Sequence, residues 1–424
     1  MRILLITQLF VPEIGALPNR MYPIARKLAG AGHQVFVATG MPNYPTGVVL
    51  PEYRGKWIER ECMDGFTVLR TAYLPVARNH SKWSQLASYL TFVLAALISG
   101  LRAGKVDVVM VTSPPIFPVV AAVLIATLRS AKLVFDVRDI WPDEIIACGA
   151  ADEGSMPIRL VRAIERYIYR KADAVCCTTN AFLDTVISRG VPSNKAVLLP
   201  NGADLEIFHP VPSDNPIVSE FDLGNRFVVV YSGVLGIKHN IEAILDAAHL
   251  LRHQRDICFL LIGNGARNNA LLEQCRSMEL DNVIFAGERP AKEIPYLLSR
   301  AGVCLSSLLP EPYLTKIISV KIFEYLACER PVIAAQSGEG ARVVEESGAG
   351  VAVPPGDARA IADAILQLYR DDGLRAEMGR RGRTYVEQNY SRSVIAMRLE
   401  TLLRELCGER PTADVGVFKA KNAA

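Results

Sequence analysis

Short apolar runs alternate with segments of helical spacing along most of the chain, a pattern typical of α/β proteins with parallel sheets. The runs in the first half predict strands at residues 3–7, 35–39, 106–112, 133–137, 174–178 and 196–200. Those in the second half predict strands at residues 227–232, 258–262, 283–286, 303–306, 332–335 and 350–353. The chain is therefore expected to form two doubly wound, Rossmann-like domains.

A stretch rich in proline and other turn-forming residues separates the two halves. It covers residues 201–224 and includes Pro210, Pro212 and Pro216, which favours a linker. We expect an N-terminal, acceptor-binding domain at 1–205 and a C-terminal, nucleotide-sugar-binding domain at 206–390. A helix at 391–407 is a candidate to return to the N-terminal domain. Residues 408–424 lack apolar periodicity and are expected to be disordered.

Composition excludes several classes of protein. A chain of 424 residues, 50% hydrophobic and 21% charged, suits two globular cores. Its net charge of +3, without a concentrated basic stripe, argues against a nucleic-acid partner. The nine cysteines contain no CxxC pair, so we predict reduced thiols and no metal site. Residues 1–10 resemble a first strand rather than a signal peptide, and a cytoplasmic location is expected.

Residues 86–101 form an uncharged apolar run of about 16 residues, shorter than the roughly 20 that a membrane-spanning helix needs. A buried helix and a helix half-sunk in the inner face of the cytoplasmic membrane are both compatible with this run, and a true span is a third alternative. Basic residues nearby favour an anionic lipid surface, whereas acids oppose it. The basic residues are Lys56, Arg60, Arg70, Arg78, Lys82, Arg102 and Lys105, and the acids are Glu52, Glu59, Glu61 and Asp64.

Candidate ligand-binding residues follow two predicted strands of the first half. Gly15 lies between the first strand and the helix that contains Arg20, where backbone N–H groups can approach a phosphate. The segment lacks GxGxxG, which argues against a dinucleotide fingerprint, and Gly15 could equally form a turn. Arg138 and Asp139 end the strand at 133–137, at the edge where open α/β sheets bind ligands. Their alternatives are a mutual ion pair or a helix cap.

The second half repeats this arrangement with more cationic character. Gly233, Gly236 and Lys238 follow the strand at 227–232 and could cradle a diphosphate. Gly263 follows the next strand and either shapes the same edge or forms an ordinary turn. Glu324, in a helix near the cleft, is placed to accept hydrogen bonds from both hydroxyls of a ribose, with a solvated helix face as its alternative.

In this order, these pieces resemble the family-4 glycosyltransferases of the GT-B fold, especially the bacterial branch that assembles O-antigen, capsule and exopolysaccharide. The resemblance covers nearly the whole chain and rests on PEIGALPNRM, PNYPTG and residues 136–142, 200–204 and 321–331. It implies two Rossmann-like domains whose parallel sheets face each other across a cleft. It also implies a nucleotide-sugar donor, commonly UDP-linked, retention of anomeric configuration, and no metal or other cofactor.

Residue roles follow from the resemblance by position. It implies catalytic roles for Asp139 near the reacting sugar, Lys238 at the diphosphate and Glu324 on the ribose. Val234 stands in place of the usual phosphate arginine, and Lys316 in place of the first glutamate of an E-x7-E signature. The substrate-binding candidates are Gly15, Ala16, Arg20, Arg138, Gly233, Gly236, Gly263, Arg289, Lys316 and Lys321.

The expected activity is retaining transfer of a hexose or N-acetylamino sugar from a nucleotide-diphosphate donor to a polyprenyl-diphosphate-linked acceptor. Negative charge grows on the leaving diphosphate, so catalysis should rest on cationic side chains and helix N-termini. Closure of the two domains about the linker would exclude water from the bound donor and so prevent its hydrolysis. Two rivals remain: a sugar-nucleotide 2-epimerase of the same architecture, and an inactive GT-B scaffold.

Overall fold

The computed structural model describes residues 1–77, 81–147, 149 and 151–410, and the chain divides into two compact units. The first unit comprises residues 1–200 and the chain from residue 395 onward, and the second comprises residues 201–394. The division falls at Pro200 rather than at the predicted residue 205, because Ala203 pairs with Ser391 and packs in the core of the second unit. Arg78 and, from residue 411, the predicted disordered tail lie outside the described residues.

The first unit is a sheet with helices between its strands. Its strands are β1 (Arg2–Ile6), β2 (Gln34–Gly40), β3 (Ile58–Met63), β4 (Phe66–Thr71), β5 (Val108–Ser113), β6 (Lys132–Val137), β7 (Ala174–Cys177) and β8 (Ala196–Leu198). Its helices are α1 (Ala16–Gly30), α2 (Lys82–Arg102), α3 (Val119–Arg129), α4 (Trp141–Ala147), α5 (Met156–Lys171) and α6 (Asn180–Ser188). The strand order is β3-β4-β2-β1-β5-β6-β7-β8, and every neighbouring pair is parallel except β3 and β4.

The antiparallel hairpin β3–β4 corrects the prediction of a purely parallel first sheet. Its edge strand β3 has the polar sequence IERECM and alternates exposed with half-buried side chains. Asp64 and Gly65 connect the strands with φ values of 45° and 84°, the left-handed conformations that a tight two-residue hairpin turn requires. This Asp-Gly pair is the sequence signal that would have identified the hairpin.

Helices cover both faces of the first sheet. On one face, Met21 and Ile24 of α1 pack with Ile3 and with Leu399 and Leu403 of α15, the C-terminal helix at Arg392–Leu406. On the other face, α2 and α3 pack against each other and against β2, β4 and β5. Each fully buried aliphatic side chain of this kind contributes about 1.5–3 kcal/mol. The last helix therefore holds the chain end to the first unit.

The second unit contains a wholly parallel sheet. Its strands are β9 (Phe227–Ser232), β10 (Ile257–Ile262), β11 (Val283–Gly287), β12 (Ala301–Ser307), β13 (Val332–Ala335) and β14 (Gly350–Val353). Its helices, before α15, are α7 (Pro216–Ser219), α8 (Ile241–Leu250), α9 (Asn268–Ser277), α10 (Ile294–Leu298), α11 (Val320–Ala327), α12 (Glu339–Glu346), α13 (Ala358–Arg370) and α14 (Asp372–Asn389). The order β11-β10-β9-β12-β13-β14 confirms a second doubly wound sheet built from the predicted strands.

Alternate residues of the central strand β9 enter the two cores of the second unit. Val228 and Val230 pack on the side of α11, whose Phe323 is fully buried. Val229 and Tyr231 pack on the side of α8 and α13. Because side chains of a strand alternate between faces, a strand buried on both sides reads as the continuous apolar run seen at FVVVY.

Helix α2 extends beyond the predicted apolar run. It has 21 residues and begins at Lys82, where the Ser81 hydroxyl accepts a hydrogen bond from the Ser84 N–H at 3.2 Å. Its segment Trp83–Arg102 is long and apolar enough to cross a membrane, as judged by length and composition alone. The argument that this run is too short to span a bilayer therefore fails for the helix as folded.

The two sides of α2 differ in burial. Phe92 and Ala96 are fully buried against the sheet, whereas Leu90, Leu94 and Ile98 are 52%, 62% and 45% exposed. The helix is thus part of the core of the first unit and also presents an apolar outer side. The interpretation as a buried helix describes the side that faces the sheet, and the interpretation as a helix half-sunk in a membrane surface stays a prediction.

Candidate active site

Two glycine loops lie against each other at the carboxyl edge of the second sheet. Gly233 follows β9 and donates its N–H to the Ile262 carbonyl at 2.9 Å, and Leu235 donates to the Asn264 carbonyl at 3.0 Å. A Cβ on Gly263, which has a φ of 135°, would lie 1.9 Å from the Gly233 carbonyl oxygen. Gly263 is therefore required for loop packing, and its predicted substrate contact stays a prediction.

Lys321 points from α11 into the space beneath the Gly233 loop. Its Nζ lies 3.7 Å from the centroid of the Tyr231 ring, and a Cβ on Gly233 would lie 2.7 Å from it. The side chain is buried, and its Nζ has no hydrogen-bond partner among the described residues. Burial, reinforced by the charge of Lys238 and opposed by that of Glu324, lowers the pKa of Lys321 to about 7. The predicted role of Lys321 in substrate binding stays a prediction.

Glu324 lies one helical turn after Lys321. Its carboxylate is half-buried, and burial raises its pKa although Arg392 and Lys321 act in the opposite direction. Lys238 is exposed in a short 3-10 turn at Ile237–His239, next to the same loop. The structure thus brings Gly233, Lys238, Lys321 and Glu324 to one edge of the second sheet.

His239 is a residue of this region that sequence analysis missed. Its Nδ1 is buried without a hydrogen-bond partner among the residues that the structure describes. Burial, with Lys321 and Lys238 nearby, holds the pKa of His239 far below its usual range. The ring is therefore neutral at physiological pH, so the cationic groups at this loop are the two lysines.

The remaining candidate residues of the second unit are Arg289, Lys316 and Gly236. The guanidinium of Arg289 pairs with Glu220 at 2.7 Å and lies 5.1 Å from the Phe221 ring centroid. Its side chain is therefore held within the unit, and a ligand contact at this position would have to use the backbone. Lys316 ends a short 3-10 turn, Leu314–Lys316, and is half-buried. A Cβ on Gly236 meets only ordinary contacts, so packing does not require a glycine there.

In the first unit, Arg20 is committed to an internal ion pair. Its guanidinium donates to both carboxylate oxygens of the fully buried Asp136, at 2.8 and 3.1 Å, and to the carbonyls of Leu199 and Pro200. These bonds use four of the five N–H groups of the guanidinium, and the predicted substrate-binding role of Arg20 stays a prediction. The geometry therefore favours a structural role for Arg20, in which it ties α1 to β6 and β8.

Gly15 and Ala16 occupy the start of α1. Gly15 is the N-cap residue and Ala16 the first helical residue, which is exposed. A Cβ on Gly15 would meet Tyr44 only at 3.8 Å, but the φ of 157° is one that residues with a side chain rarely adopt. Free N–H groups of a first helical turn suit an anion, and the predicted phosphate contact remains open.

Arg138 and Asp139 follow β6 at the carboxyl edge of the first sheet, as predicted for the end of a buried strand. The Nε of Arg138 is buried and has no hydrogen-bond partner within the described part of the chain. Burial lowers the pKa of Arg138, while Asp139 raises it. A buried arginine with an unused donor at this edge suits a polar ligand. Asp139 makes its own polar contacts, in keeping with its alternative as a partner of Arg138.

Glu13 lies in the PEIGALPNRM motif and is not among the predicted site residues. Its carboxylate accepts hydrogen bonds from the backbone N–H groups of Phe10 at 3.1 Å and of Asn43 and Tyr44 at 2.9 Å each. Burial raises the pKa of Glu13, and these bonds oppose the shift. Glu13 thus fixes the PNYPTG loop next to the end of β1.

Two further features complete the description. Among the described residues, no group of three or more His, Cys, Asp or Glu side chains is arranged to hold a metal ion. A cavity of about 570 Å³ lies at the amino-terminal ends of β9 and β12, lined partly by Arg226, Arg300 and Asp256. Because ligands of open α/β sheets bind at the carboxyl edge, we assign this cavity no part in the reaction.

Known proteins share the organisation of this chain. A glycosyl transferase 4-like domain matches residues 15–202, and a glycosyl transferases group 1 domain matches residues 226–371. WcaI of Escherichia coli (strain K12), named as a colanic acid biosynthesis glycosyl transferase, is 25% identical over 311 residues, or 72% of this chain and 75% of its own. WbjE of Pseudomonas aeruginosa, named as a glycosyltransferase, is 26% identical over 317 residues, or 73% and 77%.

A solved structure extends the likeness to the fold. HepE of Anabaena, determined in complex with UDP, has a TM-score of 0.70 at 19% identity, and the match covers 96% of this chain and 100% of that one. With both domains matched in order, the class is defined: the protein is a glycosyltransferase of the GT-B fold. Both matched domains are glycosyl transferase domains, which is consistent with the family-4 glycosyltransferases that the motifs resemble.

Proposed function

We propose that the protein transfers a sugar from a nucleotide-diphosphate donor, a UDP-sugar, to a lipid-linked glycan during surface polysaccharide synthesis. The observation that carries the proposal is Lys321, a buried lysine beneath the Gly233 loop whose Nζ has no hydrogen-bond partner among the described residues. A diphosphate there would supply the missing counter-charge. The UDP and UDP-glucose complexes of HepE and the colanic acid name of WcaI support the donor class and the pathway class.

The donor is oriented by two kinds of contact. Lys238 and Lys321 meet the diphosphate, and the Glu324 carboxylate accepts hydrogen bonds from the ribose hydroxyls. Where relatives carry a phosphate arginine, this chain has the exposed Val234. Lys321 compensates for that loss, because its Nζ lies against Gly233 in the same loop.

The transfer step breaks the bond between the anomeric carbon and the diphosphate oxygen. A hydroxyl of the acceptor forms the new glycosidic bond on the same face of the sugar, and the leaving phosphate takes the hydroxyl proton. Charge on the diphosphate grows during this step, so the two lysines stabilise the transition state more than the bound donor. No metal is required, since lysines provide the charge that a divalent cation would otherwise supply.

The protein acts at a membrane surface. α3 packs beside α2 and exposes Leu124 and Leu128 at 46% and 67%, next to the apolar outer side of α2. The neighbouring α5 carries five basic residues in the sequence MPIRLVRAIERYIYRK, and its single acid, Glu165, is buried and paired with Arg189. An apolar face beside a basic helix matches an anionic bilayer. We call these outer sides of α2, α3 and α5 the helical face.

A donor screen tests the proposal. The protein is incubated with UDP-, GDP- and dTDP-linked sugars, with and without a bacterial lipid extract, in the presence of EDTA. We expect labelled sugar to enter the lipid fraction only when extract is present. Epimerisation would proceed without an acceptor, and an inactive scaffold would consume no donor. Either result, obtained with every donor, would overturn the proposal.

A further inference from the structure

The cavity at the amino-terminal ends of β9 and β12 lies within the second unit and has the size of a small-molecule site. Its volume of about 570 Å³ falls within the range of roughly 300–1,000 Å³ typical of such sites. The six residues of β9, at about 3.3 Å each, place the cavity on the order of 20 Å from the Gly233 loop at the other edge of the sheet. A ligand in this cavity would therefore not compete directly with the donor.

Three arginines occupy matching positions at the amino-terminal ends of neighbouring strands. Arg226 directly precedes β9, Arg300 directly precedes β12, and Arg330 lies two positions before β13. The strands β9, β12 and β13 are adjacent in the sheet, where neighbouring strands lie about 4.8 Å apart. All three side chains line the cavity, so their positive charges are concentrated on one wall.

Backbone carbonyls hold these three guanidinium groups. The acceptors are the carbonyls of Asp222 and Leu223 for Arg226, of Gly224 for Arg300, and of Cys328 and Ala301 for Arg330. Each guanidinium uses one or two of its five N–H groups in these bonds. Among the described residues, no carboxylate forms an ion pair with any of the three. The carbonyls thus orient the arginines and leave their charge available to an anion.

An aromatic wall lies beside the arginines. Phe227 and Tyr369 pack edge to face with ring centroids 5.4 Å apart. A Cβ on Gly302 would lie 2.2 Å from the Phe227 ring, so the glycine lets this ring lie against β12. Arg375 also contacts the Phe227 ring, but it is paired with Asp372 and adds no net charge. Aromatic rings of this kind cover the apolar side of a sugar or a base.

Two carboxylates narrow the choice of ligand. Asp256 and Glu329 line the same cavity, and neither forms an ion pair within the described part of the chain. Asp256 accepts a hydrogen bond from the Tyr369 hydroxyl at 3.5 Å. Carboxylates repel a bare phosphate and accept hydrogen bonds from hydroxyl groups. A ligand that carries both a phosphate and hydroxyl groups matches this wall better than either group alone.

We propose that this cavity binds a phosphorylated sugar or a mononucleotide as a second ligand, distinct from the donor. The three guanidinium groups bind its phosphate, the aromatic wall covers its ring, and Asp256 and Glu329 accept hydrogen bonds from its hydroxyl groups. The site goes beyond the proposed transfer reaction, because no bond of this ligand is made or broken. The protein holds the two ligands at opposite edges of one sheet.

The first test is calorimetry on the whole protein with glucose 6-phosphate, AMP, inorganic phosphate and glucose, each with and without saturating UDP. We expect glucose 6-phosphate or AMP to bind in the presence of UDP, at least about tenfold more tightly than inorganic phosphate or glucose. Binding by one of the two identifies the ligand as a sugar phosphate or a nucleotide. No binding by either, binding that UDP abolishes, or equal affinity for inorganic phosphate would overturn the inference.

The second test removes the arginine charges one at a time. Arg300→Met and Arg226→Met should each weaken binding of that ligand at least about tenfold, because each loses a charged hydrogen-bond partner. The exposed Arg276→Met, in α9 of the same unit, is the matched control and should bind as the wild type does. UDP affinity should be unchanged in all three variants. Wild-type affinity in both cavity variants, or loss of the ligand only together with UDP binding, would overturn the inference.

Discussion

Replacing Lys321 with methionine should weaken donor binding and stabilise the free protein at the same time. The lysine is buried without a hydrogen-bond partner in the described structure, so burial penalises its charge, and the proposed diphosphate would offset that penalty. Methionine has similar length and no charge. An ordinary structural lysine would show the opposite stability change, since its loss would remove favourable contacts.

The magnitude follows from the pKa of Lys321, which falls from 10.5 to about 7 on folding. Each unit corresponds to about 1.36 kcal/mol, so protonating the folded lysine costs about 4–5 kcal/mol. The unfolded chain binds more protons between pH 7 and 10.5, and this group makes the free energy of unfolding rise with pH across that window. The gain from Lys321→Met should be largest below pH 7 and shrink by about 1.4 kcal/mol per pH unit above it.

The affinity for the donor should change with pH in the opposite direction to the free energy of unfolding. A bound diphosphate favours charged Lys321, so the pKa rises and the wild-type protein takes up about half a proton per donor at pH 7. Its affinity should fall by up to about tenfold per pH unit above pH 7, whereas that of Lys321→Met should fall far less. Neutral His239 does not titrate in this range, because its pKa is strongly lowered.

Urea unfolding and donor calorimetry between pH 7 and 9 measure both effects. The exposed Lys292→Met is the control for loss of a positive charge and should match the wild type. If Lys321→Met lowers the free energy of unfolding and leaves the pH dependence of donor affinity unchanged, Lys321 is a structural residue. The phosphate site would then have to be sought at Lys316 and Lys238.

Four further outcomes are expected. Glu324→Ala should weaken donor binding by about 1.5–3 kcal/mol in calorimetry, while the exposed Glu273→Ala does not; equal affinities would remove Glu324 from the site. Lys238→Ala should lower kcat more than it raises the acceptor KM, and full activity would contradict its role. Arg20→Ala should cost about 3–5 kcal/mol in urea unfolding, and an inactive but fully stable variant would restore its substrate-binding role. Leu94→Glu should reduce flotation with anionic vesicles, and unchanged flotation would exclude the helical face.

Much of the fold could be predicted from the sequence because buried parallel strands leave a clear apolar signal. The strands absent from the prediction, β3 and β4, form a hairpin at the edge of the first sheet. The edge strand β3 is polar, and the buried β4 interrupts its apolar run with Thr67, Arg70 and Thr71, so neither gives a continuous apolar signal. The Asp64-Gly65 turn between them is the signal that indicates the hairpin. The full length of α2 was obscured by the polar residues of its first turn, which the cap at Ser81 includes in the helix.

The site was harder to predict, because side-chain partners lie far apart in sequence. Arg20 lies in α1 and Arg138 directly follows β6, yet Arg20 is satisfied by Asp136 and backbone carbonyls while Arg138 retains a buried donor without a partner in the described structure. Nothing local in the sequence separates the two. Likewise, motif position alone selected Lys321, and only the structure shows that its charge is buried beneath the Gly233 loop.

The most direct test of the donor site is a crystal structure of the full chain with UDP. We predict that the diphosphate lies within hydrogen-bond distance of the Lys321 Nζ, and that both ribose hydroxyls donate to the Glu324 carboxylate. A diphosphate bound away from the Gly233 loop, with Lys321 still unpartnered, would contradict the account.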